Sequence, residues 1–156
     1  MLNKPLWRCS TCGREFANRN QSHACGTWTL DRHFDGRPTH VRALYERFLA
    51  LVERSGPVRV LPEKTRIAFQ VRMSFAQLTV RRHWVLGHLV LARRVEDARF
   101  HKVESFSPRN HAHHFRLDEA EDVDRLAPFV AEAYAVGCQA HLGRAETADS
   151  APSQVR

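Results

Sequence analysis

Residues 66–75 read Arg-Ile-Ala-Phe-Gln-Val-Arg-Met-Ser-Phe, and this stretch decides the fold class. Every second side chain along it is apolar: Ile67, Phe69, Val71, Met73 and Phe75. Because successive side chains of a β-strand point to opposite faces of the sheet, this period of two predicts a sheet with one apolar face. The run is long enough to contain a bend or a hairpin.

Further strands are predicted on both sides of this stretch. Residues 58–61 form a short strand before it, and residues 83–91, which are apolar on both faces, form a central strand. Within that strand, Gly87 is interpreted as the site of a bulge. The last two strands are predicted at residues 103–106 and 111–117.

Two amphipathic helices flank the strands. From Thr39 to Arg54, apolar residues recur at the spacing of one buried helix face. A second helix is predicted from Asp118 to Gly137, with Asp118 and Glu121 as its capping box. The order helix, antiparallel strands, helix predicts an α+β domain whose helices pack against one face of a twisted sheet.

The cysteines indicate a small separate unit at the N-terminus. Cys9 and Cys12 form a C-x-x-C knuckle, followed by His23 and Cys25. In a reducing compartment, clustered cysteines are better explained by a metal than by disulfides. Three thiolates and one imidazole suit zinc, and four protein ligands leave no open position on the ion. The sequence therefore predicts a structural zinc.

The identity of the fourth ligand is open at this point. Helical zinc fingers separate their last two ligands by about three to five residues, whereas one residue separates His23 from Cys25. His33 is the alternative ligand, in which case His23 supports the site from outside. The remaining alternatives are a redox C-x-x-C pair and thiols that bind no metal. An aromatic shield for the metal is predicted from Phe16, with Trp7 beside it.

These features divide the chain of 156 residues into four parts. The parts are a zinc-binding module at 1–28, a linker with a short helical turn at 29–38, the α+β domain at 39–142 and a polar, disordered tail at 143–156.

The composition predicts a folded protein with a basic surface. A hydrophobic fraction of 43% and a charged fraction of 26% are typical of soluble globular domains. No stretch approaches the ~20 apolar residues that span a bilayer, and the first residues lack an apolar signal core, so we expect a cytoplasmic protein without a membrane partner. The net charge of +7 favours polyanionic partners, nucleic acid first, although such charge can also serve solubility alone.

Basic residues near the deciding stretch are candidate ligand contacts. Strand alternation places Arg66, Gln70 and Arg72 on the face opposite the core, and Lys64 precedes them. They can form a phosphate-binding surface, with Trp84 as a stacking platform for a base. The alternative is a solvated face or a charge-protected edge strand. Further basic residues extend this candidate surface: Arg81, Arg82, His83, Arg93, Arg94, Arg99, His101 and Lys102.

Two motifs resemble a known family. The segments Pro62-Glu-Lys-Thr-Arg-Ile-Ala-Phe69 and Ala131-Glu-Ala-Tyr-Ala-Val-Gly137 lie within residues 39–137, which resemble the bacterial domain-of-unknown-function family numbered 5655. Residues 7–21, Trp-Arg-Cys-Ser-Thr-Cys-Gly-Arg-Glu-Phe-Ala-Asn-Arg-Asn-Gln, are similar to a zinc-binding prefix of some members. The resemblance implies a fold and assigns neither a reaction nor catalytic residues.

The leading functional hypothesis is a non-enzymatic binding module. It combines a structural zinc with a basic domain that engages nucleic acid, another polyanion, or a protein that handles nucleic acid. The sequence contains no phosphate-binding Gly loop, no G-x-S-x-G elbow and no carboxylate pair in a strand context. The alternative is an anionic small-ligand domain or an uncharacterised enzyme, with Lys64, Arg66 and Arg72 in a pocket between helices and sheet. A third possibility is protein–protein assembly; the sequence does not predict the oligomeric state.

Overall fold

The computed structural model describes residues 4–23 and 25–140, and the predicted disordered tail at 143–156 lies outside them. A short antiparallel hairpin comes first, formed by β1 (Trp7–Arg8) and β2 (Glu15–Phe16). A six-stranded sheet follows, with neighbouring strands in the order β3-β4-β5-β6-β8-β7 and every pair antiparallel. Its strands are β3 (Arg59–Pro62), β4 (Ile67–Gln70), β5 (Ser74–Val80), β6 (Val85–Leu91), β7 (Lys102–Ser107) and β8 (Asn110–Leu117).

The helices are α1 (Thr39–Glu53), α2 (Ala120–Asp124) and α3 (Ala127–Gly137), and a 3-10 turn covers Asp31–Phe34. The α+β prediction is therefore confirmed. Among the described helices, none has both the length and the apolar composition that crossing a membrane requires.

The deciding stretch forms a hairpin. Strand β4 ends at Gln70, residues 71–73 turn the chain, and β5 begins at Ser74. The backbone N–H groups of Arg72 and Met73 both donate to the carbonyl of Gly137, at 2.9 and 3.1 Å. The turn is thus fixed to the end of α3. Because the chain turns after Gln70, the period of two does not continue through residues 71–73.

The predicted second helix is two helices. Pro128 occupies the second position of α3, where its missing N–H breaks no helical hydrogen bond, and a new helix begins there. The capping box lies one residue later than predicted: Glu119 is the N-cap and Asp122 its reciprocal partner. Asp118 instead accepts two hydrogen bonds from the Arg116 guanidinium, at 2.8 and 2.9 Å.

The core lies between the helices and one face of the sheet. Phe48 of α1 is fully buried, and its ring centroid lies 5.2 Å from Phe69 and 5.9 Å from Phe115. Gly87 does not mark a bulge, because β6 keeps continuous register with both neighbouring strands. A Cβ at Gly87 would lie 2.7 Å from the Gln77 carbonyl oxygen and from Phe115, so the close packing itself requires glycine.

In the described part of the chain, no α-helix packs against the other face of the sheet. Strand alternation places Gln77 and Thr79 of β5, His88 of β6 and His114 of β8 on this face, and Gln77, His88 and His114 are directly paired across the strands. The polar residues of the sheet therefore collect on one open surface.

Removing a core ring tests this arrangement. Phe48→Ala is expected to lower the free energy of unfolding by about 3–5 kcal/mol, because it removes buried contacts and leaves a cavity. Phe106→Ala is the matched control, since Phe106 is 68% exposed, and should change stability by less than about 0.5 kcal/mol. Urea unfolding followed by circular dichroism measures both; equal losses would contradict the described core.

Candidate metal centre and cationic cleft

The N-terminal hairpin, β1 and β2 with their connecting turn, shapes the predicted metal centre. The Cys9 N–H donates to the Arg14 carbonyl, and the Gly13 N–H donates to the Cys9 carbonyl, both at 2.8 Å. Gly13 has a φ of +75°, a conformation in which glycine is least strained. The tight turn brings Cys9 and Cys12 to one side of the hairpin.

The four predicted ligands meet at this hairpin. Their ligand atoms all lie within 4.8 Å of one another. The Sγ atoms of Cys12 and Cys25 are each 3.3 Å from His23 Nε2, and the Sγ atoms of Cys9 and Cys25 are 3.8 Å apart. These side chains can hold a metal ion together. His33, the alternative ligand, is not part of the group.

His23 is oriented for coordination through Nε2. Its Nδ1 lies 2.7 Å from the Gln21 carbonyl and donates a hydrogen bond to it, which leaves Nε2 as the unprotonated ligand atom. The same hydrogen bond raises the pKa of His23. Phe16 is 4% exposed, its ring lies 4.4 Å from His23, and Trp7 lies 6.0 Å from Phe16. These two aromatic rings form the predicted shield.

The thiols differ in acidity. Hydrogen bonding by the Cys12 backbone N–H lowers the pKa of Cys9 to about 6, so Cys9 is a thiolate at neutral pH. Removal from water and the neighbouring Cys9 sulfur raise the pKa of Cys25 to about 11. A cation at this site would bind a thiolate already present and favour deprotonation of the others.

A buried glutamine attaches the hairpin to the sheet. Gln70 is 1% exposed, and its Nε2 donates to the Glu15 carbonyl at 2.6 Å. The Glu15 carboxylate pairs with Arg59 of β3 at 2.9 Å. The hairpin thus covers the open face of the sheet at β3 and β4. Gln70 does not face solvent there, contrary to the sequence-based interpretation.

Beyond the hairpin, basic side chains line a concave region that we call the cationic cleft. Its cavity has a volume of about 720 Å³. Among the described residues, five cationic side chains and no carboxylate line it: Arg32, Arg37, Lys64, Arg66 and Arg81. Gln77, Thr79, His88 and His114 form its sheet side. It therefore lies on the helix-free face, not between helices and sheet.

Most charges of the cationic cleft are unpaired. Arg66 donates to Glu63 at 2.9 Å and to Gln77 at 3.2 Å. In the described part of the chain, the other four cationic residues form no ion pair. Like charges held close together without counter-charges favour an anionic ligand. His33 also lines the cleft, and its Nε2 is buried without a hydrogen-bond partner.

The predicted ligand contacts do not all meet. Lys64 and Arg66 share the cationic cleft. Arg72 lies at the β4–β5 turn, where it donates to Gln139 at 2.9 Å and to the Lys4 carbonyl. Trp84 packs beneath the Arg116 guanidinium, 4.2 Å from the ring centroid, and does not line the cleft. The chain reversal after residue 70 separates Arg66 from Arg72.

Sequence reasoning missed Arg32, which lies in the 3-10 turn, and Arg37, which follows it, because the sequence predicts only a linker at residues 29–38. The sequence signal that could have indicated them is the close spacing of these two basic residues around the buried Phe34.

His88 is neutral at physiological pH. Burial, followed by the charges of His114 and Arg66, lowers its pKa to about 4. The ring offers one donor and one acceptor nitrogen to a ligand.

Acid should destabilise the wild type through this histidine. The unfolded state binds a proton near pH 6.5 and the folded state near pH 4, so stability falls with decreasing pH between these values. Between pH 7 and pH 5, we expect the free energy of unfolding to fall by about 2 kcal/mol more in the wild type than in His88→Gln. Urea unfolding of both proteins at each pH measures the difference. The same loss in both would show that His88 titrates normally.

Among protein families, the domain of unknown function DUF5655 matches residues 30–137. No curated protein and no solved structure matches the chain. The matched region begins at the turn before α1 and ends with α3, so it includes every cationic residue of the cleft and excludes the four candidate metal ligands. Because the match covers more than half of the chain and agrees with the motifs identified in the sequence, the protein belongs to the DUF5655 family.

Proposed function

We propose that this protein is a non-enzymatic, zinc-stabilised module that binds nucleic acid through the cationic cleft. The observation that carries the proposal is the convergence of five cationic side chains on the open face of the sheet, with no carboxylate among the described lining residues. Arginine forms paired hydrogen bonds to phosphate oxygens, and four of the five residues are arginines. The net charge of +7 adds long-range attraction for a polyanion.

Zinc is the metal that best fits the N-terminal hairpin. Three cysteines and one histidine are a structural zinc ligand set, and four protein ligands leave no position for a reacting water. We therefore assign the ion a structural role. A hairpin this short has no other core than the ion and the two shielding rings.

The metal centre and the cleft are physically linked. Glu63 lies between them: its carboxylate is 3.6 Å from Arg14 of the hairpin and 2.9 Å from Arg66 of the cleft. Loss of the metal would release the hairpin and, with it, the Arg14 contact that helps to hold the Glu63 carboxylate beside Arg66. Zinc would then support binding without touching the ligand.

A second candidate is a small anionic ligand. The volume of about 720 Å³ falls in the range of small-molecule pockets, and the cleft is concave. Competition by inorganic phosphate or a sugar phosphate at micromolar concentration, with no binding of oligonucleotides, would favour this candidate.

Metal content tests the structural zinc. The wild type should contain one equivalent of zinc, and Cys12→Ser should lose it and unfold the hairpin. Cys138→Ser is the matched control, because this cysteine lies outside the ligand group and should leave the zinc in place. Elemental analysis and cobalt substitution, read from the thiolate-to-cobalt absorption band, report the result. A metal-free wild type refutes the zinc assignment.

Charge reversal tests the cleft. Arg37→Glu combined with Arg81→Glu should weaken binding of a fluorescent oligonucleotide at least about tenfold at low salt, because two phosphate contacts are replaced by repulsion. The dependence of log K on log salt should flatten by about 1–2 units. Fluorescence anisotropy at several salt concentrations measures both.

Arg109→Glu serves as the single-charge control, since Arg109 is exposed in the β7–β8 turn away from the cleft. It should retain nearly wild-type affinity. Absence of salt-sensitive binding by the wild type, or an equal loss per charge in the control, would rule out the cleft as the binding site.

A further inference from the structure

The cationic cleft is one end of a longer groove. A second cavity of about 200 Å³ adjoins it and shares Gln77, His88 and His114 with it. A third cavity of about 930 Å³ shares Leu86 and His101 with the second. The first two sections lie on the open face of the sheet, and the third continues from them to the helix side, where Asp122 of α2, Arg125 and Leu126 line it.

The middle section is polar, and Arg81, which it shares with the cationic cleft, is the one arginine among its described lining residues. Gln77, His88 and His114 form a row through direct pairing across β5, β6 and β8. The rings of His88 and His114 are 5.2 Å apart, and His114 Nε2 lies 2.7 Å from Glu104. An amide, a neutral imidazole and the Thr79 hydroxyl offer donors and acceptors to an uncharged polar group.

The third section contains three arginines, and each has a carboxylate partner. Arg99 pairs with Asp97 at 2.8 Å, Arg116 with Asp118 at 2.8 Å and Arg125 with Asp122 at 3.6 Å. This section therefore lacks the unpaired positive charge of the cationic cleft.

Two of these guanidinium groups also lie against aromatic rings. Arg116 lies 4.2 Å from Trp84, and Arg99 lies 5.6 Å from Phe129. Guanidinium planes held on rings in this way are surfaces on which nucleobases stack.

We infer that the groove binds an unpaired nucleotide unit, with its phosphate in the cationic cleft and its base in the adjoining sections. This rests on the proposed function and names the form of nucleic acid. Unpaired positive charge at one end suits a phosphate. The adjoining sections offer hydrogen-bond donors and acceptors, and guanidinium planes whose charge is paired with carboxylates, and these suit a base. In a duplex the bases are stacked and paired, so only the backbone would reach the cleft.

Three oligonucleotides of equal length test the base contribution. The probes are a 12-nucleotide single strand, the same strand with abasic residues throughout, and a 12-base-pair duplex, all at one salt concentration. The wild type is expected to bind the single strand at least about tenfold more tightly than either other probe. Equal affinity for the abasic strand or for the duplex overturns the inference while leaving the proposed function intact. Failure to bind any probe refutes both.

A substitution that fills the third section of the groove provides the second test of base binding. Ala98 is exposed and lines the third section, so Ala98→Trp should occupy it without changing charge. Affinity for the base-bearing strand should fall to that for the abasic strand, and abasic binding should stay unchanged. Ala50→Trp, on the exposed side of α1, is the matched control and should bind as the wild type does. An unaffected Ala98→Trp protein contradicts the assignment.

If the tryptophan variant fails to fold, His88→Ala replaces it in the comparison of the base-bearing strand with the abasic strand. This variant should lower the affinity for the base-bearing strand at least about threefold and leave the affinity for the abasic strand unchanged.

Competition by adenosine monophosphate identifies the source of the nucleotide unit. Competition at micromolar concentration supports a free nucleotide, and competition only at millimolar concentration supports a nucleic acid strand.

Discussion

The hydrogen bond from Gln70 Nε2 to the Glu15 carbonyl holds the N-terminal hairpin over one part of the open face of the sheet and leaves the other part uncovered. Gln70 is buried, and its Oε1 has no partner among the described residues, so the amide depends on the hairpin for the hydrogen bond it does make. Breaking a buried hydrogen bond of this kind costs about 1–3 kcal/mol. The hairpin is therefore held over β4, and the remainder of the face stays accessible to a ligand.

The uncovered part of that face carries several cationic side chains, and their mutual repulsion is unfavourable. Arg32, Arg37, Lys64 and Arg81 approach one another without counter-ions in the described structure. Such an arrangement reduces the stability of the free protein and is relieved when an anion binds. Several arginines elsewhere are paired with carboxylates: Arg93 with Glu132 at 2.9 Å is one example. The physical basis of the proposed function is that these four cationic side chains, which form no ion pair with a described residue, line a single cleft.

The metal centre and the family domain have separate roles in this scheme. The family match starts at residue 30, after the four candidate ligands, and the domain has its own core around Phe48. The hairpin, in contrast, buries only Cys9 and Phe16 among its described residues, and Gln70 and Arg59 attach it to the sheet. Glu63 is the residue through which the hairpin reaches the cleft, because it contacts a basic residue on each side. The proposed zinc would thereby affect binding indirectly.

The sequence by itself determined the elements whose signals are local. The alternation at residues 66–75 predicted strands, the stripe from Thr39 predicted α1, and the cysteine spacing predicted the ligand group, since each depends on neighbours along the chain. Pro128 was a local signal for the break between α2 and α3 that the helical period concealed.

Only the tertiary structure decided the cleft. Arg32 and Arg37 come from the turn before α1, Lys64 from the β3–β4 turn and Arg81 from the β5–β6 turn, and strand pairing joins Gln77 to His88. Their proximity depends on strand register and on the reversal after Gln70, and neither can be read from the spacing of residues along the chain.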